Sequence, residues 1–232
     1  MAHKVWHHHG QMSEAFRTVM FLSASGGLQD AYTYIGRGKV FANAQTGNIV
    51  LMSQAAFDGD LARVLHYLVP LLSFALGVAA AEVIHIRYRE AKHLHWRQLV
   101  LLVEILLLFG VGFIPNTLDL AANALVSFAC AMQVQAFRKV HSYPFASTMC
   151  IGNMRSGMES LVVYFHLHDK KVLHKALHYF GVILLFAIGA GVGAHCVAVF
   201  GNKTIWFSCA LLLVSLCFMF IQDEEEALKE KA

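Results

Sequence analysis

Charge is what this sequence has least of. Only 14% of its 232 residues are Asp, Glu, Lys or Arg, and 57% are hydrophobic. An average soluble domain is about a quarter charged and under half apolar. The formal net charge of +3 resides in loops, with no basic block of the kind that grips nucleic acid. Cysteine forms no framework either: five residues (Cys130, Cys150, Cys196, Cys209 and Cys217) stand singly inside apolar stretches. An odd, scattered set is neither a disulfide scaffold nor a zinc site, and reads as small packing residues. A phosphate-binding glycine loop, a G-x-S-x-G elbow and an H-E-x-x-H helix are all missing, which argues against familiar hydrolases and energised pumps. No cleavable signal peptide is expected. The first apolar stretch, Phe16 to Tyr34, is interrupted by Gly26, Gly27, Gln29 and Asp30, and no small-residue cleavage site follows.

What the chain has instead is long apolar runs. Val64–Ile84, Leu99–Ile114, Leu120–Met132, Phe180–Phe200 and Ile205–Ile221 each approach the ~17–25 residues that span a bilayer as a helix. They lack the polar stripe of a soluble core helix. The mean hydropathy of +0.55 agrees. The expected class is an all-α, multi-pass integral membrane protein whose first partner is the lipid bilayer.

The two halves of the chain resemble one another. Gly26–Asn48 aligns with Cys130–Asn153: Gln29 falls on Gln133, Phe41-Ala42 on Phe145-Ala146, and, after one inserted residue, Gly47-Asn48 on Gly152-Asn153. Leu65–Gly77 (LHYLVPLLSFALG) lies on Leu177–Gly189 (LHYFGVILLFAIG), and Trp96 on Trp206. Matches in the same order point to duplication, with repeats over about 16–115 and 118–222. They lie between a cytoplasmic tail at 1–15, carrying His7–His9, and a charged tail at 223–232.

Loop charge sets the expected orientation. The loop at Asp58-Gly59-Asp60 is acidic where its counterpart Asp169-Lys170-Lys171 is basic. The loop with Arg87, Arg89, Lys92 and Arg97 is basic where its counterpart holds only Lys203. Arg37/Lys39 and Arg138/Lys139 dissent, being basic in both halves. The balance favours inverted repeats, about six transmembrane helices plus two broken or re-entrant segments, and both termini in the cytoplasm.

Polar groups inside such a frame are functional candidates, because burying a charge in lipid costs at least ~2.5–3.5 kcal/mol. Gly26-Gly27-Leu28-Gln29-Asp30 offers either close backbone approach or a broken helix. Asp30 then serves as a proton or cation site, as a wall of a substrate cavity, or as a structural carboxylate bonded to helix ends or a tyrosine. Asn43-Ala44-Gln45-Thr46-Gly47-Asn48 resembles a helix entry with Thr46 or Asn48 as cap, able to face a solute. The second copy, ending in Gly152-Asn153, adds Arg155 and Glu159 at i,i+4 spacing, suited to an ion pair or, separately, to an anion and a proton.

Gln133 and Gln135 are expected to line a cavity or to bond between helices. Glu104 sits mid-run opposite Val214, and Glu82 and His85 lie near a helix end. Of fourteen histidines, His174 and His178 have metal-compatible spacing but no acidic or thiol neighbour. No metal and no cofactor are expected. Gly189-Ala190-Gly191-Val192-Gly193 suits close helix packing, within a subunit or in a homo-oligomer.

The blocks Gly26/Gly27/Asp30/Ala31/Tyr32 and Phe41/Thr46/Gly47/Asn48 resemble the signature of the YoaK-like bacterial transmembrane proteins, a family without an assigned function. The likeness runs from about Phe16 to Ile221 and implies a bacterial inner (plasma) membrane location. The second half departs from the signature at Ile151-Gly152-Asn153, where a threonine is usual.

The leading expectation is a non-enzymatic secondary transporter or facilitator of a small polar solute. Gln29, Asp30, Asn43, Thr46, Gly47, Asn48, Gln133, Gly152, Asn153 and Arg155 would contact the solute, and Asp30 and Glu159 would couple protons. The alternative is a small membrane-embedded enzyme, or a protein that binds lipid or a partner.

Overall fold

The computed structural model describes residues 16–88, 95–140, 143–144 and 148–231. The tail at 1–15, the loop residues Arg89, Lys92 and His93, and Phe145 and Ala146 lie outside the described residues. Each apolar run has become helix, as it must where lipid offers no partner for backbone N–H and C=O groups. The order is α1 (Phe16–Gly36), α2 (Gln45–Phe57), α3 (Leu61–Tyr88), α4 (Trp96–Val111), α5 (Asp119–Ala136), α6 (Cys150–Leu167), α7 (Lys170–Phe200) and α8 (Ile205–Lys231). A two-residue ladder, β1 (Lys139–Val140) with β2 (Tyr143–Pro144), precedes α6. Among the described residues, three helical stretches are long and apolar enough to cross a membrane. They are Leu61–Tyr88, Asn116–Ala136 and Lys170–Phe220, the last divided by a tight turn at Gly201–Thr204.

The surface is inside-out relative to a soluble protein. Leu72, Leu76, Val83 and Ile86 of α3, Leu184 and Ile188 of α7, and Leu213 and Phe220 of α8 are exposed, whereas Thr18, Ser25, Gln29, Asn48, Glu104 and Asn123 are buried. Such a surface suits lipid as the solvent.

Close backbone contact holds the helices together. The α1 helix packs along α7 and α8, and α5 packs along α3 and α4. At the first crossing, a Cβ on Gly27 would collide with the backbone of Phe186 and Ala190, and one on Gly189 would collide with the backbone of Ala24. At the second, a Cβ on Gly77 would collide with the carbonyl of Phe128. Gly26 and Gly27 therefore do not break α1, which runs straight through them. Their lack of a side chain is used for approach. Gly189 and Gly193 likewise face α1 of the same chain, while Gly191 meets nothing.

Arg37 overturns its assignment as a loop charge. It is fully buried at the end of α1, and its Nη1 donates to Asp119 Oδ1 at 2.8 Å. Nε donates to the Tyr32 hydroxyl at 2.8 Å, and Nη2 to the Ile114 carbonyl at 2.7 Å. The Arg37 carbonyl accepts from Asn123 Nδ2 at 2.6 Å. This knot ties the end of α1 to the α4–α5 connection and to the first turn of α5, where Asp119 also suits the helix dipole.

Two outcomes follow for thermal unfolding in detergent. Arg37→Met strands the partly buried Asp119 and should cost about 3–5 kcal/mol, with Arg37→Met/Asp119→Asn losing less than the single variant. Gly189→Val should lower stability by ~1–3 kcal/mol or more through overpacking, whereas Gly191→Ala should leave it unchanged.

Candidate functional site

After α1 the chain reverses through Gly38 (φ +85°) and Lys39 (φ +66°). Both are left-handed, a conformation that suits glycine and strains lysine. His66 Nε2 on α3 holds this turn by its hydrogen bond with the Gly38 carbonyl, at 2.7 Å. The following segment folds back over α1. Asn48 clamps it from inside α2: its Oδ1 accepts from Phe41 N at 3.0 Å, and its Nδ2 donates to Phe41 O at 2.7 Å and to Gln45 Oε1 at 2.9 Å. The expected cap on α2 is therefore absent. Ala44 occupies the cap position without a side-chain bond, and Asn48 is turned toward the loop.

Folding back places the loop over Asp30. Asn43 N donates to Asp30 Oδ1 at 2.7 Å. Asn43 Nδ2 donates to the Gly26 carbonyl at 3.2 Å, while Asn43 Oδ1 is buried without a partner. Across from it, the buried Thr148 hydroxyl also lacks a partner.

These groups face one cavity of about 650 Å³. Asp30 and Tyr34 come from α1, and Phe41, Asn43 and Thr46 from the loop and first turn of α2. Thr148, Cys150 and Gly152 come from the start of α6, Phe74 from α3, and Phe186 and Ala190 from α7. The lining is chiefly apolar, and among the described residues no Lys, Arg or His belongs to it. Tyr34 and Phe41 stack with centroids 4.4 Å apart.

The model described as "Protein of unknown function (DUF1275)" matches residues 18–218. The chain belongs to the DUF1275 family. It is also 25% identical over 209 residues to UPF0700 transmembrane protein YoaK of Bacillus subtilis (strain 168), covering 85% of this chain and 92% of that protein. No solved structure matches. With its span-length apolar helices, this DUF1275 chain is a membrane protein.

The remaining candidates fall into two groups. Gln29, one residue before Asp30, points away from the cavity into a buried polar cluster. Its Nε2 donates to Ser25 Oγ at 3.0 Å, Ser208 Oγ at 2.9 Å and Glu104 Oε1 at 3.3 Å, and its Oε1 accepts from Cys130 Sγ. Gln133 is buried and donates from Nε2 to the Leu22 carbonyl at 3.3 Å. Gln135 donates from Nε2 to Glu82 Oε2 at 2.5 Å. Gly47 packs on the Phe41 ring, and Asn153 is buried in the first turn of α6.

Arg155 and Glu159 are exposed on α6 and form no ion pair with each other. They share their outward face with Ile151, Met158 and Val162. His174 and His178 contact each other edge to face, and no metal-binding group occurs among the described residues.

Sequence reasoning passed over Tyr34, Phe41, Phe74, Thr148, Cys150 and Phe186 as lining residues. A signal existed for two of them: Phe74 and Phe186 are equivalent in the aligned LHY helices.

Asn48→Ala should destabilise the protein by about 1–3 kcal/mol, because it orphans the partly buried Phe41 backbone groups. Thr46→Ala, at an exposed position, should leave the unfolding midpoint unchanged. Thermal denaturation of both variants in detergent checks the division between clamp and wall.

Proposed function

We propose that this protein is a secondary transporter of a small solute across the bacterial plasma membrane, with the cavity beneath the 41–44 loop as its binding site and Asp30 as its proton-coupling group. The carrying observation is a cavity with one acidic side chain, apolar walls and unpartnered polar groups at its polar end. Concave, mostly apolar sites with a few convergent polar groups are where small molecules bind.

The architecture supports the same reading through inverted repeats. Under the duplication, α1–α4 correspond to α5–α8. The helix pairs then exchange as they should: α1 packs on α7 and α8 as α5 packs on α3 and α4. Gly189 meets Ala24, and the equivalent Gly77 meets the equivalent Phe128. Phe74 and Phe186, equivalent residues, face the same cavity, as do the starts of α2 and α6.

In this scheme α1, α3, α4, α5, α7 and α8 cross the membrane. The 13 residues of α2 reach only about 20 Å at ~1.5 Å per residue, short of the ~30 Å hydrocarbon core, as a re-entrant helix would. With Arg37 buried against Asp119, its charge no longer counts as a loop charge, which weakens the dissenting pair in the orientation argument and supports cytoplasmic termini. Sites between discontinuous helices at a repeat interface are a recurrent transporter plan.

Among the wall residues Asp30 is the group suited to carry a proton. The titratable groups around it are Tyr34 on α1, Cys130 on α5 and Cys150 on α6. Glu159 lies on the outer face of α6 and has no place in this scheme.

The test is solute-evoked proton movement in proteoliposomes loaded with a pH-sensitive dye. Wild type should give a saturable signal with a subset of solutes, and folded Asp30→Asn should give none. A silent wild type across a broad solute set, or a mutant indistinguishable from it, sinks the assignment.

A further inference from the structure

We propose that the cavity takes a compact organic amine, its protonated amino head directed at Asp30 and Asn43 and its apolar or aromatic body set between Phe74 and Phe186. The inference rests on the transport reading and names its substrate class.

Charge is the first argument. Among the described residues, Asp30 is the only lining side chain that carries a formal charge at neutral pH, and no basic residue shares the wall. A carboxylate or phosphate ligand would meet like charge in a low-dielectric site, whereas an ammonium is drawn in. Arg155, the group that would have welcomed an anion, is exposed on α6 and outside the lining.

Hydrogen-bond accounting is the second. The Asn43 amide is oriented by its donation to the Gly26 carbonyl, so the group left without a partner is the carbonyl oxygen Oδ1. Thr148 Oγ1 is the other unpartnered atom at this end. Buried polar atoms are ordinarily satisfied. An ammonium offers three donors, and the Asp30 carboxylate is the lining acceptor that matches its charge.

The third argument is the rest of the wall. Phe74, Phe186 and the Tyr34–Phe41 stack would strand the hydroxyls of a sugar or polyol but suit an apolar body. Aromatic rings also attract cations, and Lys39 Nζ already sits 4.9 Å from the Tyr34 centroid. A volume of about 650 Å³ lies within the usual range for small-molecule sites. Amine and proton compete for one carboxylate, so where Asp30 is protonated the entry of a protonated amine displaces its proton, and where it is ionised the amine binds without proton release. The resulting coupling is exchange.

The experiment uses full-length protein in detergent and three probes of similar size: phenethylamine, 3-phenylpropanoate and 2-phenylethanol. Calorimetric titration should show phenethylamine binding at least about tenfold more tightly than either isostere. Asp30→Asn should erase that preference, and Phe74→Trp, which narrows the cavity away from the loop, should weaken phenethylamine binding about tenfold.

Should Asp30→Asn not fold, wild-type affinity for the amine should fall with decreasing pH, approaching tenfold per unit where Asp30 is protonated. Preference for 3-phenylpropanoate, equal affinity for all three probes, or pH-independent amine binding overturns the assignment. A carboxylate preference would locate an anion site at the start of α6 instead.

Proteoliposomes separate this inference from its parent. Asp30-dependent amine binding without amine-driven proton release keeps the class and removes transport. Transport of another solute, with no amine bound, does the reverse.

Discussion

The constraint on which the structure depends is close contact between helix backbones. Lipid tails are as apolar as leucine, so no hydrophobic effect drives one helix against another within the bilayer. Attraction must come from dense packing and from interhelical hydrogen bonds. Gly27 and Gly189 let α1 and α7 touch main chain to main chain, and Gly77 does the same for α3 and α5. The α1–α7 contact fixes Asp30 beside Phe186 and Ala190. Gly26, on the same stretch of α1, leaves room for the Thr148 methyl. A side chain at any of these glycines would move the cavity wall as well as loosen the bundle, so stability and site geometry rest on the same residues.

Polar residues in this interior do two kinds of work, and their hydrogen bonds tell them apart. Arg37 and Asn48 spend their groups on named partners: a carboxylate, a phenol and carbonyls for Arg37, and the Phe41 backbone for Asn48. They are architecture. Asn43 Oδ1 and Thr148 Oγ1 are buried and unsatisfied where the cavity opens, a state that costs free energy until something fills it. Satisfied polar groups thus mark where the fold is tied; buried oxygens without a partner also occur away from the cavity, at Thr18, Ser23, Asn123, Ser127 and Thr204, so it is the lining position of Asn43 and Thr148 that sets them apart. The Gln29–Glu104–Ser208 cluster lies between these cases: it is richly bonded, yet Glu104 Oε2 has no partner.

Much of this was legible in sequence. Span-length apolar runs declare helices because lipid permits little else, and the Asp30 and Asn43 segments stood out because charge and amide groups are costly there. Direction was not legible. Gln29 and Asp30 are neighbours in sequence but lie on different faces of α1, one in a packed cluster and one in the cavity. The paired glycines carried two physical meanings, and only the neighbouring helix decides that they permit contact and not a break. Arg37 looked like a loop cation because its partner lies 82 positions away, a separation over which no local pattern operates. Asn48 looked like a helix cap, since cap and loop clamp use the same side-chain chemistry and differ only in where the chain turns.

Under the proposed duplication, scaffold and chemistry obey different symmetries. The packing elements occur twice: Gly77 with Gly189, Phe74 with Phe186, Asn48 with Asn153. The buried carboxylates do not. Val134 stands where Asp30 would recur, and Val214 where Glu104 would. A charge duplicated across the axis would place two carboxylates at one site, where like charges resist being ionised together. One carboxylate between two equivalent phenylalanines avoids that conflict. Under the proposed transport reading, it also leaves a single group to be presented to each side of the membrane as equivalent walls exchange roles. Retaining the frame while restricting the charge to one half is what coupling through a single titratable group requires.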